Sequence, residues 1–150
     1  MNETKPTGTA KLRLDERGRL AVPNRFRHLL SHPDGFYLTA HPHGCLAIYP
    51  AEHFARIEEQ LQAHTNRYHD TTLEDLLIGC AEFMQVDAAG RILISSGLRA
   101  EAAIERDIRM FHVRATFRIW DAKLWEQKKL HMMSRLQDEE FSQVWEKLNL

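Results

Sequence analysis

One unit occurs twice in this chain. Residues 14–27, LDERGRLAVPNRFR, are matched 72 positions later by residues 86–99, VDAAGRILISSGLR. Four residues recur unchanged, in the pairs Asp15 and Asp87, Gly18 and Gly90, Arg19 and Arg91, and Arg27 and Arg99. The match resumes downstream at a shift of 71 positions, where residues 48–51 correspond to residues 119–122. A repeat of this extent within 150 residues restricts the chain to folds built from two copies of one supersecondary unit.

Each copy opens with the pattern of a β-turn between two strands. Aspartate at the first position and glycine at the fourth fit a type I turn that ends in a left-handed backbone, so the turn-forming residues are Asp15, Gly18, Asp87 and Gly90. On both sides of the first turn, apolar residues alternate with polar ones, which is typical of strands with one buried face. We therefore predict a bulged hairpin whose outer face carries Lys11, Arg13 and Arg19.

The rest of each unit predicts a short helix and two further strands. Proline suits the first position of a helix over residues 23–30, and Ser95 or Ser96 fits the cap of its counterpart. Strands are predicted at 35–39, 45–49, 108–113 and 116–120. Helical periodicity predicts further helices at 51–67, 73–84 and 122–136, and a last one that carries Phe141, Val144, Trp145 and Leu148.

The two motifs resemble those of a known family. The signatures Asp15–Arg19 and Asp87–Arg91 both read Asp-x-x-x-Arg, Gly8 lies seven residues before the first, and Ile119–Asp121 reads Ile-Trp-Asp. In these residues the chain resembles the MraZ family of bacterial transcriptional regulators. The resemblance implies an α+β fold with two AbrB-like swapped-hairpin β units in pseudo-twofold tandem, accompanied by linking and C-terminal helices.

On this basis we divide the chain into five segments. They are a flexible N-terminal arm at 1–8, the first unit at 9–52, a helical linker at 53–80, the second unit at 81–124 and C-terminal helices at 125–150. The resemblance further implies a ring-shaped homo-oligomer. It also implies binding to short direct repeats of double-stranded DNA in the protein's own promoter, upstream of the division and cell-wall gene cluster.

The charge of the chain is informative in its distribution rather than in its total. A net charge of −1 and a pI near 6.8 argue against a nucleic-acid binder. Basic residues are nevertheless concentrated in the first 30 positions, at Lys5, Lys11, Arg13, Arg17, Arg19, Arg25 and Arg27, against three acidic residues, Glu3, Asp15 and Glu16. The first unit is therefore the more basic one, and we expect it to dominate any contact with DNA.

The candidate DNA-binding residues are the basic side chains of the turn regions, Arg19, Arg17, Arg13, Lys11 and Arg91. Arginine binds guanine bidentately in the major groove, which also admits a two-stranded β-ribbon. We expect less from Arg91 than from Arg19, because its own hairpin offers fewer basic neighbours. For Arg27 and Arg99 we favour a structural ion pair over a phosphate contact.

A metal site or an active site finds little support. His41, His43 and Cys45 share strand parity, but Pro42 and Gly44 interrupt the strand, so a hairpin turn is the better interpretation. The sequence contains no zinc-binding, nucleophile-elbow or phosphate-loop motif, and we predict neither an enzyme nor a cofactor.

We do not expect the protein to be exported. Two cysteines are too few for a disulfide framework, and no apolar run approaches the ~20 residues of a membrane span. We expect a cytoplasmic, nucleoid-associated protein that regulates transcription. The alternative function is that of an antitoxin-type or assembly protein, which would bind a protein partner through the aromatic C-terminal helix.

Overall fold

A computed structural model describes residues 8–148, so the predicted arm lies, apart from its last residue, outside the described residues. The elements run in the order β1 (Thr9–Arg13), β2 (Arg19–Ala21), α1 (Asn24–Leu30), β3 (Phe36–Ala40), β4 (Leu46–Pro50), α2 (Ala51–Tyr68), α3 (Thr72–Leu77), β5 (Glu82–Met84), β6 (Arg91–Leu93), α4 (Ser96–Glu101), β7 (Asp107–Val113), β8 (Thr116–Asp121), α5 (Ala122–Arg135) and α6 (Glu139–Lys147).

The strands form one six-stranded sheet, in the order β1-β7-β8-β4-β3-β5, and a separate two-stranded ribbon of β2 and β6. All pairs are antiparallel. The sheet order is unchanged when the two repeats are exchanged, and Ala47 faces Arg118 at the central β4–β8 pair. A pseudo-twofold axis therefore passes between these two residues, and the fold is the α+β tandem that the family resemblance implies.

Each unit gives its first strand to the other unit. Strand β1 pairs with β7, and β5 pairs with β3, so the predicted hairpin is wrong beyond its turn. The N–H of Asp15 still donates to the carbonyl of Arg19 at 2.9 Å, after which the two arms separate. The alternation of apolar and polar residues depends on which face of a strand is buried. It does not depend on which strand lies alongside, so a closed hairpin and an exchanged strand give the same pattern.

The sheet has a different partner on each face. On the inner face, Leu20 and Ile92 of the ribbon are buried in one core with the short helices α1 and α4, whose Phe26 and Leu98 are also buried. On the outer face, α2 and α5 pack at equivalent places, with Phe54 6.2 Å from Tyr49 and Trp125 5.7 Å from Trp120 between ring centroids. The ribbon and the two long helices therefore lie on opposite sides of the sheet.

One helix is shorter than the sequence predicts, and another forms as predicted but stays exposed. The helix predicted over 73–84 ends at Leu77, and residues 82–84 form β5, because β3 offers them a free edge that local periodicity does not reveal. Helix α6 forms as predicted but buries none of its residues, and Trp145 remains 63% exposed. Within the described part of the chain, no helix has the length and apolar character that a membrane crossing requires.

Candidate nucleic-acid interface

The first turn is held together by its aspartate. One carboxylate oxygen of Asp15, Oδ1, accepts the N–H groups of Arg17 and Arg19, both at 2.9 Å. The N–H of Gly18 donates to the carbonyl of Asp15 at 3.0 Å, and Gly18 has a φ of +83°. The bond from the Arg19 N–H is the main cause that lowers the pKa of Asp15, so its carboxylate is charged at neutral pH.

The second turn repeats this geometry. Oδ1 of Asp87 accepts the N–H groups of Ala89 at 2.9 Å and Arg91 at 2.8 Å. Gly90 has a φ of +78°, and the N–H of Arg91 is again the main cause that lowers the pKa of the aspartate. Two turns that differ in sequence at their middle positions are therefore built by the same set of backbone contacts.

Each aspartate also holds the arginine that follows the turn. Nε of Arg19 lies 2.9 Å from Oδ2 of Asp15, and Nε of Arg91 lies 3.4 Å from Oδ2 of Asp87. The two arginine side chains are 30% and 35% exposed, respectively. Nε of Arg19 donates a hydrogen bond to its aspartate, whereas the contact of Arg91 is an ion pair in which Nε makes no hydrogen bond. Among the described residues no Nη group of either arginine donates a hydrogen bond, so these groups are left for another acceptor.

Both arginines lie on a single ribbon. In the β2–β6 pair, Arg19 faces Leu93 and Ala21 faces Arg91. These four residues alternate with the buried Leu20 and Ile92, and we call them the ribbon face. Each arginine thus has Leu93 and Ala21 as its neighbours on the ribbon face.

The remaining predicted residues lie around the first turn and off the ribbon. Arg17 is exposed within the turn, whereas Lys11 and Arg13 are exposed on the edge strand β1 that leads into it. Lys11 faces Arg109 of β7, and Nε of Arg13 lies 3.3 Å from a carboxylate oxygen of Asp107. Lys11 and Arg13 alternate with Ala10 and Leu12, which pack on the core, so both point to the outer face of the sheet, away from the ribbon. The second turn has alanines at its middle positions where the first has Arg17, so the basic charge beside the ribbon is concentrated at the first turn.

The repeated arginines of the short helices support the turns of the opposite unit. A Cβ on Gly18 would lie 3.1 Å from Cζ of Arg99, and the guanidinium of Arg27 occupies the equivalent place beside Gly90. An Nη of Arg27 donates to the carbonyl of Val22 at 2.8 Å. Within residues 8–148 neither arginine lies within ion-pairing distance of a carboxylate, so the predicted ion pair is wrong.

This crossed support was missed by sequence reasoning. The signal present in the sequence is that each arginine recurs together with a turn glycine, whose missing side chain leaves room for a guanidinium. Backbone bonds reinforce the crossing, because the N–H of Val22 donates to Gly90 and that of Ile94 donates to Gly18, at 3.0 and 2.9 Å. The two turns are therefore parts of one structure and not independent tips.

The histidine-rich segment forms the turn between β3 and β4. The N–H of Gly44 donates to the carbonyl of His41 at 3.0 Å, and the N–H of His43 donates to Nδ1 of His41 at 3.1 Å. Cys45 is buried at the start of the following strand. Among the described residues, no three histidine, cysteine or acidic side chains are grouped as ligands for a metal ion.

The fold and this interface define a class of protein: a single chain in which two swapped-hairpin units form a pseudo-twofold pair and present one arginine-bearing β-ribbon. Comparison with known families then identifies the family to which the chain belongs. The family described as "MraZ protein, putative antitoxin-like" matches residues 7–76 and again residues 77–147. The chain belongs to the MraZ family, and each match spans one repeat.

Curated relatives agree with this assignment. A protein of Methylobacillus flagellatus named "Transcriptional regulator MraZ" is 35% identical over 130 residues, covering 85% of this chain and 88% of the relative. A protein of the same name from Dechloromonas aromatica is 39% identical over 124 residues, covering 81% and 84%. Another from Ralstonia pickettii is 33% identical over 130 residues, covering 85% and 90%. These names describe regulators of transcription.

Proposed function

We propose that this protein is a sequence-specific DNA-binding regulator of transcription. It would act in the cytoplasm, at the nucleoid, on its own promoter upstream of the division and cell-wall gene cluster. The observation that carries the proposal is the ribbon face, on which Arg19 and Arg91 lie on one ribbon, each with its Nε beside the carboxylate of its own turn aspartate. The names of the curated relatives support the same function.

The ribbon face has the dimensions and chemistry for the major groove. A two-stranded antiparallel ribbon fits that groove, and the free Nη groups of an arginine can donate to the O6 and N7 acceptors of guanine. Leu93 is 52% exposed between the two arginines, and its methyl groups would contact the methyl group of a thymine. Two arginines and one leucine on a rigid ribbon would read a few base pairs.

Attraction to the backbone must come from other residues. Each Asp–Arg pair of the ribbon carries no net charge, because both aspartates are ionised at neutral pH. The phosphates would be contacted by Arg17, which is exposed within the first turn and lies outside these pairs. We therefore propose that the ribbon supplies specificity and that the first turn supplies most of the affinity that depends on salt.

One ribbon buries too little surface to bind tightly alone. We propose that copies of the chain assemble into a ring-shaped homo-oligomer that presents several ribbons to successive short direct repeats. Linked weak contacts gain affinity because every contact after the first is intramolecular. Binding should then rise steeply with the number of repeats in the duplex.

The test is a titration of operator and scrambled duplexes at several salt concentrations. We expect Arg19→Ala and Arg91→Ala each to cost about 1–3 kcal/mol of discrimination per site engaged. Arg17→Ala should weaken both duplexes alike and reduce the salt slope by about one unit. Arg67→Ala, at the exposed far end of α2, is the matched control. Unchanged discrimination in both ribbon variants, with the fold intact, would refute the proposal.

A second candidate is an antitoxin-type or assembly protein that binds a protein partner. It is favoured by α6, where Val144, Trp145 and Leu148 are each more than half exposed, and by the wording of the family description. The same titration separates the two, because binding to DNA falls steeply with salt whereas apolar protein contacts do not. Salt-independent capture of a protein, without DNA binding, would favour this candidate.

A further inference from the structure

A cavity of about 390 Å³ opens on the outer face of the sheet, away from the ribbon. It is lined by Tyr49, His53, Val113, Arg114, Thr116 and Arg118. These residues come from the ends of β4 and β8, the turn between β7 and β8, and the first turn of α2. The volume falls in the range of small-molecule sites, about 300–1,000 Å³.

The charge of this cavity is of one sign. It has two arginines and a histidine in its wall and no acidic residue. In the described chain, neither Arg114 nor Arg118 pairs with a carboxylate, whereas Arg13, Arg19 and Arg91 all do. Two guanidinium groups without a counter-charge favour an anion from solution.

Burial and the charge of Arg118 act on two neighbouring side chains. Burial, together with the charge of Arg118, lowers the pKa of His41 to about 4. Burial raises the pKa of Tyr49 despite the opposing effect of Arg118, so the hydroxyl keeps its proton at neutral pH. Tyr49 can therefore donate a hydrogen bond into the cavity, and His41 is neutral at neutral pH.

The fold does not require these basic residues. The pseudo-twofold axis relates Tyr49, His53, Arg114, Thr116 and Arg118 to Trp120, Leu124, His43, Cys45 and Ala47, a set without arginine. The counterpart side of the sheet is thus built with largely apolar residues at the same places. The arginines occur on one side of the pseudo-twofold axis only, so the packing of the fold does not explain their presence.

The backbone at Arg114 supports this view. It lies in the two-residue turn between β7 and β8 and has a φ of +58°, a left-handed conformation that glycine and asparagine adopt at lower cost. An arginine at this position therefore makes the turn slightly less stable than a glycine would. Strain of this kind is often found at binding sites.

We propose that this cavity binds a small phosphate-bearing ligand through the guanidinium groups of Arg114 and Arg118, with the Tyr49 hydroxyl as a further donor. Guanidinium groups match the oxygen geometry of phosphate, and two of them hold it more strongly than ammonium groups would. Because the ribbon lies on the other side of the sheet, such a ligand can bind while DNA is bound.

Two variants separate binding from folding. Arg118→Gln removes one guanidinium and keeps a polar side chain. Arg114→Gly removes the other and relieves the left-handed backbone, so it should not lower the melting temperature of the unliganded protein. Arg67→Gln is the matched control, because it makes the same change of charge at the far end of α2.

The experiment measures melting temperature and calorimetric affinity with inorganic phosphate and with pyrophosphate, each at about 10 mM and at constant ionic strength set with chloride. We expect pyrophosphate to raise the melting temperature of the wild type and of Arg67→Gln. Arg118→Gln and Arg114→Gly should each bind at least about tenfold more weakly.

Three results would overturn the proposal. The first is no stabilisation of the wild type, or an equal one in all four proteins. The second is a loss of affinity for every DNA duplex in Arg118→Gln, with pyrophosphate displacing DNA, which would assign the cavity to the phosphates of DNA. The third is a lower particle mass in Arg118→Gln without binding of pyrophosphate, which would assign it to a carboxylate of a second copy.

Discussion

At the residue scale, the aspartates of the two turns have two tasks each. Oδ1 of Asp15 fixes the turn through backbone N–H groups, and Oδ2 fixes the guanidinium of Arg19. A free arginine side chain would lose about 1.5–2 kcal/mol of rotamer entropy on binding. An arginine already held by its turn loses less of it, so the Asp-x-x-x-Arg spacing orders the side chain in advance.

The turn glycines provide a prediction about stability. Gly18 and Gly44 both have a positive φ, +83° and +95°, but their surroundings differ. A Cβ on Gly18 would lie 2.8 Å from the carbonyl oxygen of Ile94, whereas a Cβ on Gly44 meets nothing within 4 Å. We expect Gly44→Ala to cost about 1 kcal/mol of unfolding free energy, from backbone strain alone. Gly18→Ala should cost clearly more, and equal costs in urea denaturation would show that the close approach between the units relaxes freely.

The half-buried His41 of the β3–β4 turn provides a prediction about pH. The folded chain lowers the pKa of His41 from its ordinary value of 6.5 to about 4, so acid protonates the unfolded chain first. The contribution of His41 to stability is therefore complete above pH 6.5 and decreases as the pH falls toward 4, with uptake of about one proton on unfolding.

His41→Asn tests this, because an asparagine oxygen can replace Nδ1 as the acceptor for the N–H of His43. Unfolding free energies from urea denaturation at pH 7, 6 and 5 should fall less steeply in the variant than in the wild type. Parallel curves would mean that His41 is solvated well enough to titrate normally in the folded state.

At the scale of elements, the exchange of first strands makes each unit incomplete. Strand β1 lies at the edge of the sheet next to β7, and β5 lies at the opposite edge next to β3. Without the other unit, β7 and β3 would each lose a neighbour and expose backbone groups to solvent. The short ribbon would lose one of its two strands altogether, and with it the pairing of Leu20 with Ile92.

We therefore predict that the halves do not fold separately as monomers. Residues 1–70 and 71–150, divided between α2 and α3, should each be unfolded or self-associated by circular dichroism and sedimentation. Mixing the two halves should restore a one-to-one complex with the spectrum of the intact chain. A folded, monomeric half would contradict the strand exchange.

At the scale of the whole molecule, apolar exposure is concentrated at the C-terminus. Six large apolar side chains of α5, α6 and the residue that follows each helix are more than half exposed, namely Leu130, Met133, Leu136, Val144, Trp145 and Leu148. An exposed set of this kind on neighbouring helices marks a contact surface. Contacts repeated between identical copies close into rings when the rotation allows it, which is the basis for the proposed oligomer.

Trp145→Glu should reduce the particle mass in sedimentation, because a charge would be buried where α6 meets a neighbouring copy. Tyr68→Glu is the matched control: Tyr68 is 58% exposed at the end of α2, against 63% for Trp145, and receives the same charge. An unchanged mass for Trp145→Glu, or a monomeric wild type at micromolar concentration, would show that α6 does not form a contact between copies.

The sequence by itself determined the local structure of each unit. The spacing of Asp15 and Gly18 specifies the turn, alternation specifies which residues of β1 and β2 are buried, and Ser95 caps its helix, with its hydroxyl accepting the N–H of Leu98 at 3.2 Å. These features depend on residues a few positions apart, whose chemistry is written in the sequence. The repeat also determined that the turn, the short helix and the strands of the first unit occur again in the second.

Only the tertiary structure decided how the two units combine. Alternation has the same period whichever strand lies alongside, so the pattern allows β1 to pair with β2 or with β7, and in the structure it pairs with β7. That choice brings Arg19 and Arg91 onto one ribbon and places Arg27 and Arg99 behind the turns of the opposite units. Contacts between residues some 72 positions apart depend on which strands pair, and a local sequence pattern gives no information about that pairing.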